Sequence, residues 1–130
     1  NAYDNAVLYA DEFLARTIAA LKAQTTYDSA LLYVSDHGES LGEMGLYLHG
    51  VPYRIAPAQQ LKVPMVMWFS PGLAQADRLD LGCLRARAKA PASHDNLYST
   101  VFGLFGIRSQ TYDAALDLLA PCRPREHAVG

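Results

Sequence analysis

Apolar side chains recur at helical spacing near the start of the chain and form two unbroken runs further on. The helical positions are Val7, Ala10, Leu14, Thr17 and Leu21. This spacing predicts an amphipathic helix over roughly residues 3–23. Residues 30–35 and 63–69 are short, continuous apolar runs, which predicts two buried strands. A helix followed by a short turn and a buried strand is half of an α/β unit, so we expect an α/β fold.

Between the two predicted strands, from Leu41 to Gln60, neither periodicity holds. Glycines and prolines punctuate this stretch and predict a long irregular loop. A loop of this length is uncommon in a compact domain unless it serves a function. The residues that follow the second strand, 73–93, also read as loop, with a short helix around Leu84.

A second helix is predicted in the last third of the chain. Ser93 is a suitable cap for a helix from His94 to Phe105, which Gly106 would end. Its predicted apolar face consists of Leu97, Val101, Leu104 and Phe105. A weaker amphipathic stretch covers residues 112–119, and the tail from residue 124 is expected to fray.

Composition narrows the class of protein. The chain has 130 residues, 51% of them hydrophobic and 18% charged, with a formal net charge of −2. These values are typical of one folded domain. They argue against nucleic acid as a partner, because phosphate binding requires clustered Lys and Arg. The two cysteines, Cys83 and Cys122, lack CxxC spacing. They are either one disulfide or two buried thiols, and the sequence alone leaves both open.

No apolar run approaches the roughly 18 residues of a membrane span, and there is no signal peptide. The chain opens on Asn1, without a methionine, and runs directly into a helical pattern. We therefore expect a piece of a longer protein, whose targeting segments would not be visible here.

The first predicted strand leads into the segment Ser35-Asp36-His37-Gly38-Glu39-Ser40. A carboxylate beside an imidazole suits a divalent metal such as zinc, at bond lengths of about 2.0–2.2 Å. Neighbouring side chains of a strand point to opposite faces, so both reach one ion only where the strand bends. Gly38 permits that bend. For the short motif alone, a polar turn is the alternative.

His49 is the next candidate, because glycines on both sides allow its loop to fold back towards Asp36 and His37. Three ligands would still fall short of the four or so that zinc prefers. Glu39 and Glu43 are either outer acceptors that orient a histidine ring or exposed loop residues. His94, by contrast, begins a helix, and capping explains it. No serine or threonine has a base beside it in sequence, so no nucleophile is identified. The residues therefore predict only half of a metal-dependent active site.

Three segments of the chain resemble the phosphoethanolamine transferases: Asn1–Tyr9, Leu32–Glu43 and Gly45–Gly50. Shorter matches follow in the same order at Pro52-Tyr53, Ala56-Pro57, Gln60, Val63-Pro64, His94–Leu97, Leu116–Leu118 and Pro121–Arg123. The Ser-Asp-His-Gly-Glu stretch is shared with sulfatases and other members of the alkaline phosphatase superfamily. The match through the His49 loop is what selects the transferases.

The resemblance implies an α/β/α sandwich of the alkaline phosphatase/sulfatase type, of which residues 1–130 form the C-terminal part. It implies that a membrane region and the half carrying the nucleophile lie upstream. By motif match, Asp36 and His37 are zinc ligands, and His49 is the catalytic histidine that contacts the substrate phosphate or a second zinc. The 130-residue chain alone is therefore expected to be inactive. Periplasmic disulfides of such proteins favour pairing of Cys83 with Cys122.

The implied reaction is zinc-dependent transfer of phosphoethanolamine from phosphatidylethanolamine to lipid A through a covalent threonine intermediate. The implied setting is the bacterial inner membrane, with the catalytic domain in the periplasm and polymyxin resistance as the consequence. The alternatives are a sulfatase or phosphodiesterase of the same superfamily, and transfer to another periplasmic glycan. A third is a non-enzymatic domain with a vestigial site.

Overall fold

The chain divides into two units, residues 1–69 and residues 70–130. The computed structural model describes residues 1–124. Each unit has its own elements, and the buried side chains differ between them. In the first unit they include the polar Ser40 and Gln60, whereas the second has a small apolar core. That core consists of Ala74, Leu79, Leu119 and Cys122.

The first unit begins with helix α1, Ala2–Ala23, and strand β1, Ala30–Val34, which confirms both predicted elements. Asn1 caps α1 reciprocally with Asp4: the Asp4 amide donates to the Asn1 side chain at 3.0 Å, and the Asn1 amino group donates to the Asp4 carboxylate at 3.3 Å. This capping box satisfies amides that the first turn leaves without partners. The helix therefore begins at Ala2.

Strand β1 pairs antiparallel with β4, Met65–Phe69, in a two-stranded sheet. The register places Ala30 opposite Phe69 and Val34 opposite Met65. The second predicted strand is thus confirmed, but the burial expected of both strands is wrong, since every residue of each is half-buried. Among residues 1–124, each strand has one neighbouring strand, so its other edge is open.

The stretch predicted as irregular loop contains four short elements. Strand β2, Ser40–Leu41, pairs antiparallel with β3, Tyr47–Leu48, across a 3₁₀ turn at Glu43–Gly45. A one-turn helix, α2, covers Ala58–Leu61. The loop prediction is wrong for these residues, because pieces of two to four residues carry no measurable periodicity and are held by contacts distant in sequence.

The second unit opens with two short helices. Helix α3, Pro71–Ala76, is capped by Ser70, whose hydroxyl accepts from the Leu73 amide at 3.2 Å. Helix α4, Leu81–Arg87, is capped by Asp80, and it confirms the short helix expected around Leu84. Helix α3 was missed, although a serine followed by proline is a recognised start signal.

Helix α5, Asp95–Leu104, confirms the helix predicted after Ser93, and the chain leaves it through Gly106 at φ 62°. Its predicted apolar face is wrong. The fully buried residues are Ser99, Thr100 and Gly103, while Phe105 is 72% exposed. This face can be buried although it is polar, because both hydroxyls are hydrogen-bonded.

The segment that meets α5 is residues 112–119, the predicted amphipathic stretch, which forms turns rather than a regular element. Ser99 Oγ accepts from the Asp113 amide at 3.1 Å and Thr100 Oγ1 from the Leu118 amide at 3.0 Å. The Leu119 amide donates to the Asp117 carboxylate at 2.8 Å. Side chains thus take the amides that a helix would have used. Of the predicted frayed tail, residues 125–130 lie outside the described residues.

A buried ionic cluster joins Asp117 and Arg123, which are 1% and 4% exposed in their side chains. Arg123 Nη1 lies 3.7 Å from Asp117 Oδ2, and Arg123 Nη2 also contacts Asp77. The Tyr112 hydroxyl donates to Asp117 at 2.9 Å. Burial, followed by this hydrogen bond and the charge of Asp117, raises the pKa of Tyr112 to about 12.

Cys83 and Cys122 form a disulfide with their Cα atoms 5.6 Å apart. The structure therefore selects one of the two states that the sequence left open, and it is the pairing that the resemblance favoured. The two residues are 39 positions apart, so the cross-link contributes on the order of 4 kcal/mol by the loop-entropy estimate.

Candidate metal site

Asp36 and His37 leave the end of strand β1 together. Asp36 Oδ2 lies 3.7 Å from His37 Nε2, and its Oδ1 accepts from the His37 amide at 3.1 Å. The Asp36 side chain is 88% exposed and that of His37 is 41% exposed. The two candidate ligands therefore lie beside each other and are both accessible to solvent, and their binding of a metal stays a prediction.

The backbone fixes the orientation of the His37 ring. Its Nδ1 lies 2.9 Å from the Gly38 carbonyl oxygen. A carbonyl only accepts, so Nδ1 carries the proton and the lone pair of the neutral ring is on Nε2. This is the nitrogen that faces Asp36. A backbone acceptor on the second nitrogen is the usual arrangement for a histidine that binds metal.

His49 reaches this place through the β2–β3 hairpin. Ser40 pairs with Leu48, which sets His49 directly after the paired strands. Leu48 and Gly50 have φ of 64° and 95°, so the chain bends sharply on both sides of His49. The centroids of the His37 and His49 rings are 3.8 Å apart, with the planes tilted by 31°. The structure thus places His37 beside Asp36 on one side and His49 on the other.

Glu39 is the fourth residue at the candidate site, and the sequence left its role open. His49 Nδ1 lies 3.2 Å from Glu39 Oε2, so the carboxylate accepts from the His49 ring. Ligand atoms of His37, Glu39 and His49 all lie within 4.8 Å of one another. The available signal was spacing, because residues two apart in an extended segment lie on the same side. Glu43 instead accepts from the Leu41 amide at 2.7 Å, as a turn residue.

One oxygen of Glu39 lacks a partner. Although the Glu39 side chain is 25% exposed, its Oε1 is buried and has no hydrogen-bond partner among residues 1–124. A buried carboxylate oxygen without a donor is costly, so such a group commonly binds something further.

Helix α2 supports the segment from behind. The Gly38 amide donates to the Gln60 carbonyl oxygen at 3.0 Å. A Cβ at Gly38 would lie 1.9 Å from the Gln59 carbonyl oxygen and 3.0 Å from its carbon. Only glycine allows the two backbone segments to approach so closely.

We expect Gly38→Ala to lower the free energy of unfolding by about 1–3 kcal/mol or more, because the new methyl group collides with backbone that cannot rotate away. Urea unfolding measures the change. Gly45→Ala is the matched control: a Cβ there meets nothing within 4 Å, but Gly45 has a φ of 74°. Its loss should stay near the 1 kcal/mol of left-handed strain. A Gly38→Ala protein as stable as the wild type would contradict the close approach.

The remaining described histidine, His94, belongs to the second unit. It occupies the N-cap position of α5 without a side-chain capping bond. The Ser93 hydroxyl accepts from the Asp95 amide instead, at 3.2 Å. Within residues 1–124, no helix is both long and apolar enough to cross a membrane.

The chain belongs to the sulfatase family, whose sequence profile matches residues 1–107. Among its relatives is phosphoethanolamine transferase EptA of Salmonella typhimurium, 50% identical over 95% of this chain and 23% of that protein. The chain therefore spans about a quarter of the length of the curated relatives it matches.

Two solved structures from Neisseria meningitidis are similar to this chain at 49% identity. The soluble domain of lipooligosaccharide phosphoethanolamine transferase A superposes with a TM-score of 0.89, over 94% of this chain and 37% of that one. The integral membrane protein of the same name gives 0.88, over 93% and 23%. The resemblance found in the sequence is confirmed, and so is the α/β fold of the alkaline phosphatase type.

Proposed function

We propose that this chain is the C-terminal part of the catalytic domain of a zinc-dependent phosphoethanolamine transferase. In this proposal Asp36 and His37 are zinc ligands, and His49 is the catalytic residue that contacts the substrate phosphate. The observation that carries the proposal is the ring contact between His37 and His49, with Glu39 beside both, in a chain half identical to such transferases.

The donor set fits zinc. Two ligands bonded at up to 2.2 Å to one ion lie no more than about 4.4 Å apart. The 3.7 Å between Asp36 Oδ2 and His37 Nε2 is within that limit. The ligand atoms of His37, Glu39 and His49 are up to 4.8 Å apart. To bind one zinc ion, the longest of these distances would have to shorten by a few tenths of an ångström. Imidazole nitrogens with carboxylate oxygens are the donors that zinc takes, and the unpartnered Glu39 Oε1 supports a cation at this place.

Zinc would supply Lewis acidity that polarises phosphoryl oxygens and activates a coordinated hydroxyl. The chain's own residues supply orientation and proton handling. The Gly38 carbonyl holds the His37 ring so that Nε2 keeps its lone pair. Glu39 accepts from His49 Nδ1, which leaves His49 Nε2 for the substrate. When Nε2 also carries a proton, His49 would donate a hydrogen bond to the negative phosphodiester or pass that proton to the departing diacylglycerol oxygen.

The proposed donor is phosphatidylethanolamine and the proposed acceptor is lipid A, with a covalent threonine intermediate formed on a part of the protein outside this chain. The names of the relatives, which include transferases acting on lipooligosaccharide and on Kdo(2)-lipid A, support this choice. One of them is an integral membrane protein. We therefore propose an inner-membrane anchor upstream, a periplasmic catalytic domain and polymyxin resistance as the outcome.

The test uses the full-length protein, meaning the longer polypeptide proposed to contain this chain. It is mixed with phosphatidylethanolamine vesicles and lipid A, and the products are followed by mass spectrometry. Lipid A carrying phosphoethanolamine is expected. Free phosphoethanolamine as the sole product would indicate a hydrolase of the same superfamily. A parallel reaction contains a periplasmic glycan as well. If the glycan is modified there while lipid A is not, the acceptor is the glycan.

His49→Ala separates the roles of the two histidines. We expect it to slow transfer by about 10²-fold, the scale of a lost general acid or base, with zinc content close to wild type. His37→Ala is the comparison, and it should lose zinc as well. Initial rates and metal analysis measure both effects. An unchanged rate in His49→Ala would remove that residue from the site.

A further inference from the structure

Gln60 holds the candidate site segment at two points. Its backbone carbonyl accepts from the Gly38 amide at 3.0 Å, and its side-chain Nε2 donates to Ser40 Oγ at 2.8 Å. Gln60 is 5% exposed and Ser40 is 1% exposed. Because both partners are buried, the side-chain hydrogen bond is sheltered from competing water.

The two hydrogen-bonded points, Gly38 and Ser40, lie next to the residues of the candidate site. Gly38 follows His37, and its carbonyl is the acceptor that orients the His37 ring. Glu39 lies between the two points. Ser40 is paired with Leu48, so the side-chain hydrogen bond also fixes the hairpin that delivers His49.

From this arrangement we propose that Gln60 is a positioning residue, which sets the relative placement of His37, Glu39 and His49. Its hydrogen bonds to this segment go to Gly38 and Ser40, so it acts through residues 38–40. The inference rests on the proposed function, because the groups it positions are the proposed zinc and substrate ligands.

The hydrogen bonds of this segment support a positioning role for Gln60 rather than a role in packing alone. An apolar residue would fill the volume beside Ser40 but would leave the buried hydroxyl without its donor. The close contact of Gly38 with the backbone of Gln59 already fixes one end. The Gln60 amide fixes the other end, so residue 39 is held from both sides.

The test is Gln60→Leu in the full-length protein, with Gln59→Leu as the matched control on the exposed side of the same helix. We expect the zinc dissociation constant, measured by chelator competition, to rise about 10-fold and kcat to fall by a similar factor, as for other residues that orient metal ligands. KM for phosphatidylethanolamine should change little. Gln59→Leu should match the wild type in all three.

A double variant separates positioning from stability. In Gln60→Leu/Ser40→Ala no orphaned hydroxyl remains, so the melting temperature should recover towards wild type. Zinc affinity and kcat should not recover, because the tether is still absent. Recovery of all three together would overturn the proposal, as would wild-type zinc affinity in Gln60→Leu. If Gln60→Leu does not fold, Ser40→Ala tests the same tether with a smaller change and the same expected direction.

The experiments distinguish failure of the proposed transferase activity from failure of the proposed role of Gln60. A wild-type protein that binds zinc but transfers nothing, with weaker zinc binding in Gln60→Leu, would contradict the transferase and support the positioning role. A wild-type transferase with a fully active Gln60→Leu variant would contradict the positioning role alone.

Discussion

Asp36→Ala in the full-length protein should reduce phosphoethanolamine transfer by about 10²–10³-fold, which corresponds to the several kcal/mol of transition-state stabilisation that a metal supplies. Zinc content should fall with it. The free energy of unfolding should change by less than about 1 kcal/mol, since the side chain is 88% exposed and its hydrogen bond to the His37 amide is local. Initial rates, metal analysis and urea unfolding measure the three quantities.

This combination is diagnostic because an exposed carboxylate rarely matters to a fold. Asp11→Ala, another exposed acid, on α1 of the same unit, is the control, and it should alter neither rate nor zinc content. Asp36→Asn keeps the size of the side chain but weakens it as a ligand, so it should resemble Asp36→Ala. An Asp36→Ala protein with wild-type zinc content and rate would remove Asp36 from the metal site.

The sequence predicted the part of the site that is formed by consecutive residues. Asp36, His37 and Gly38 follow a strand directly, so a local pattern is enough to place them. The approach of His49 was predicted from its flanking glycines, and Gly45 and Gly50 do have positive φ, of 74° and 95°. The sequence contains no signal for the further bend at Leu48, whose φ is 64°. The contact of Glu39 with His49 could not be predicted from the sequence. It depends on the register of a hairpin whose strands have two residues each, and strands so short leave no pattern.

The fold shows the same division between local and distant contacts. Helix α1 and strand β1 were predicted because their periodicity lies within one segment. The antiparallel pairing of β1 with β4 joins Val34 to Met65 and Ala30 to Phe69, residues more than 30 positions apart, which no local pattern encodes. Helix α5 was placed correctly but its buried face was not, since Ser99 and Thr100 are buried through hydrogen bonds to residues 113 and 118.

The ionic cluster of the second unit was also invisible to pattern analysis, and it leads to the second large prediction. Asp117→Ala should lower the free energy of unfolding by about 3–5 kcal/mol, the usual loss when one partner of a buried ion pair is removed. The Arg123 side chain, 4% exposed, would keep only Asp77 as its carboxylate partner among residues 1–124. The Leu119 amide and the Tyr112 hydroxyl would lose their acceptor at the same time. Urea unfolding under oxidising conditions measures the loss.

Two variants identify the cause of that loss. Asp77→Ala removes the other partner of Arg123, but Asp77 is 32% exposed, so water can replace it and the loss should be smaller. Asp117→Ala/Arg123→Met removes the charge that Asp117→Ala leaves uncompensated, so it should be more stable than Asp117→Ala alone. If the double variant is no more stable than the single one, the loss comes from the Leu119 and Tyr112 hydrogen bonds. The buried charge of Arg123 would then not be what makes Asp117 necessary.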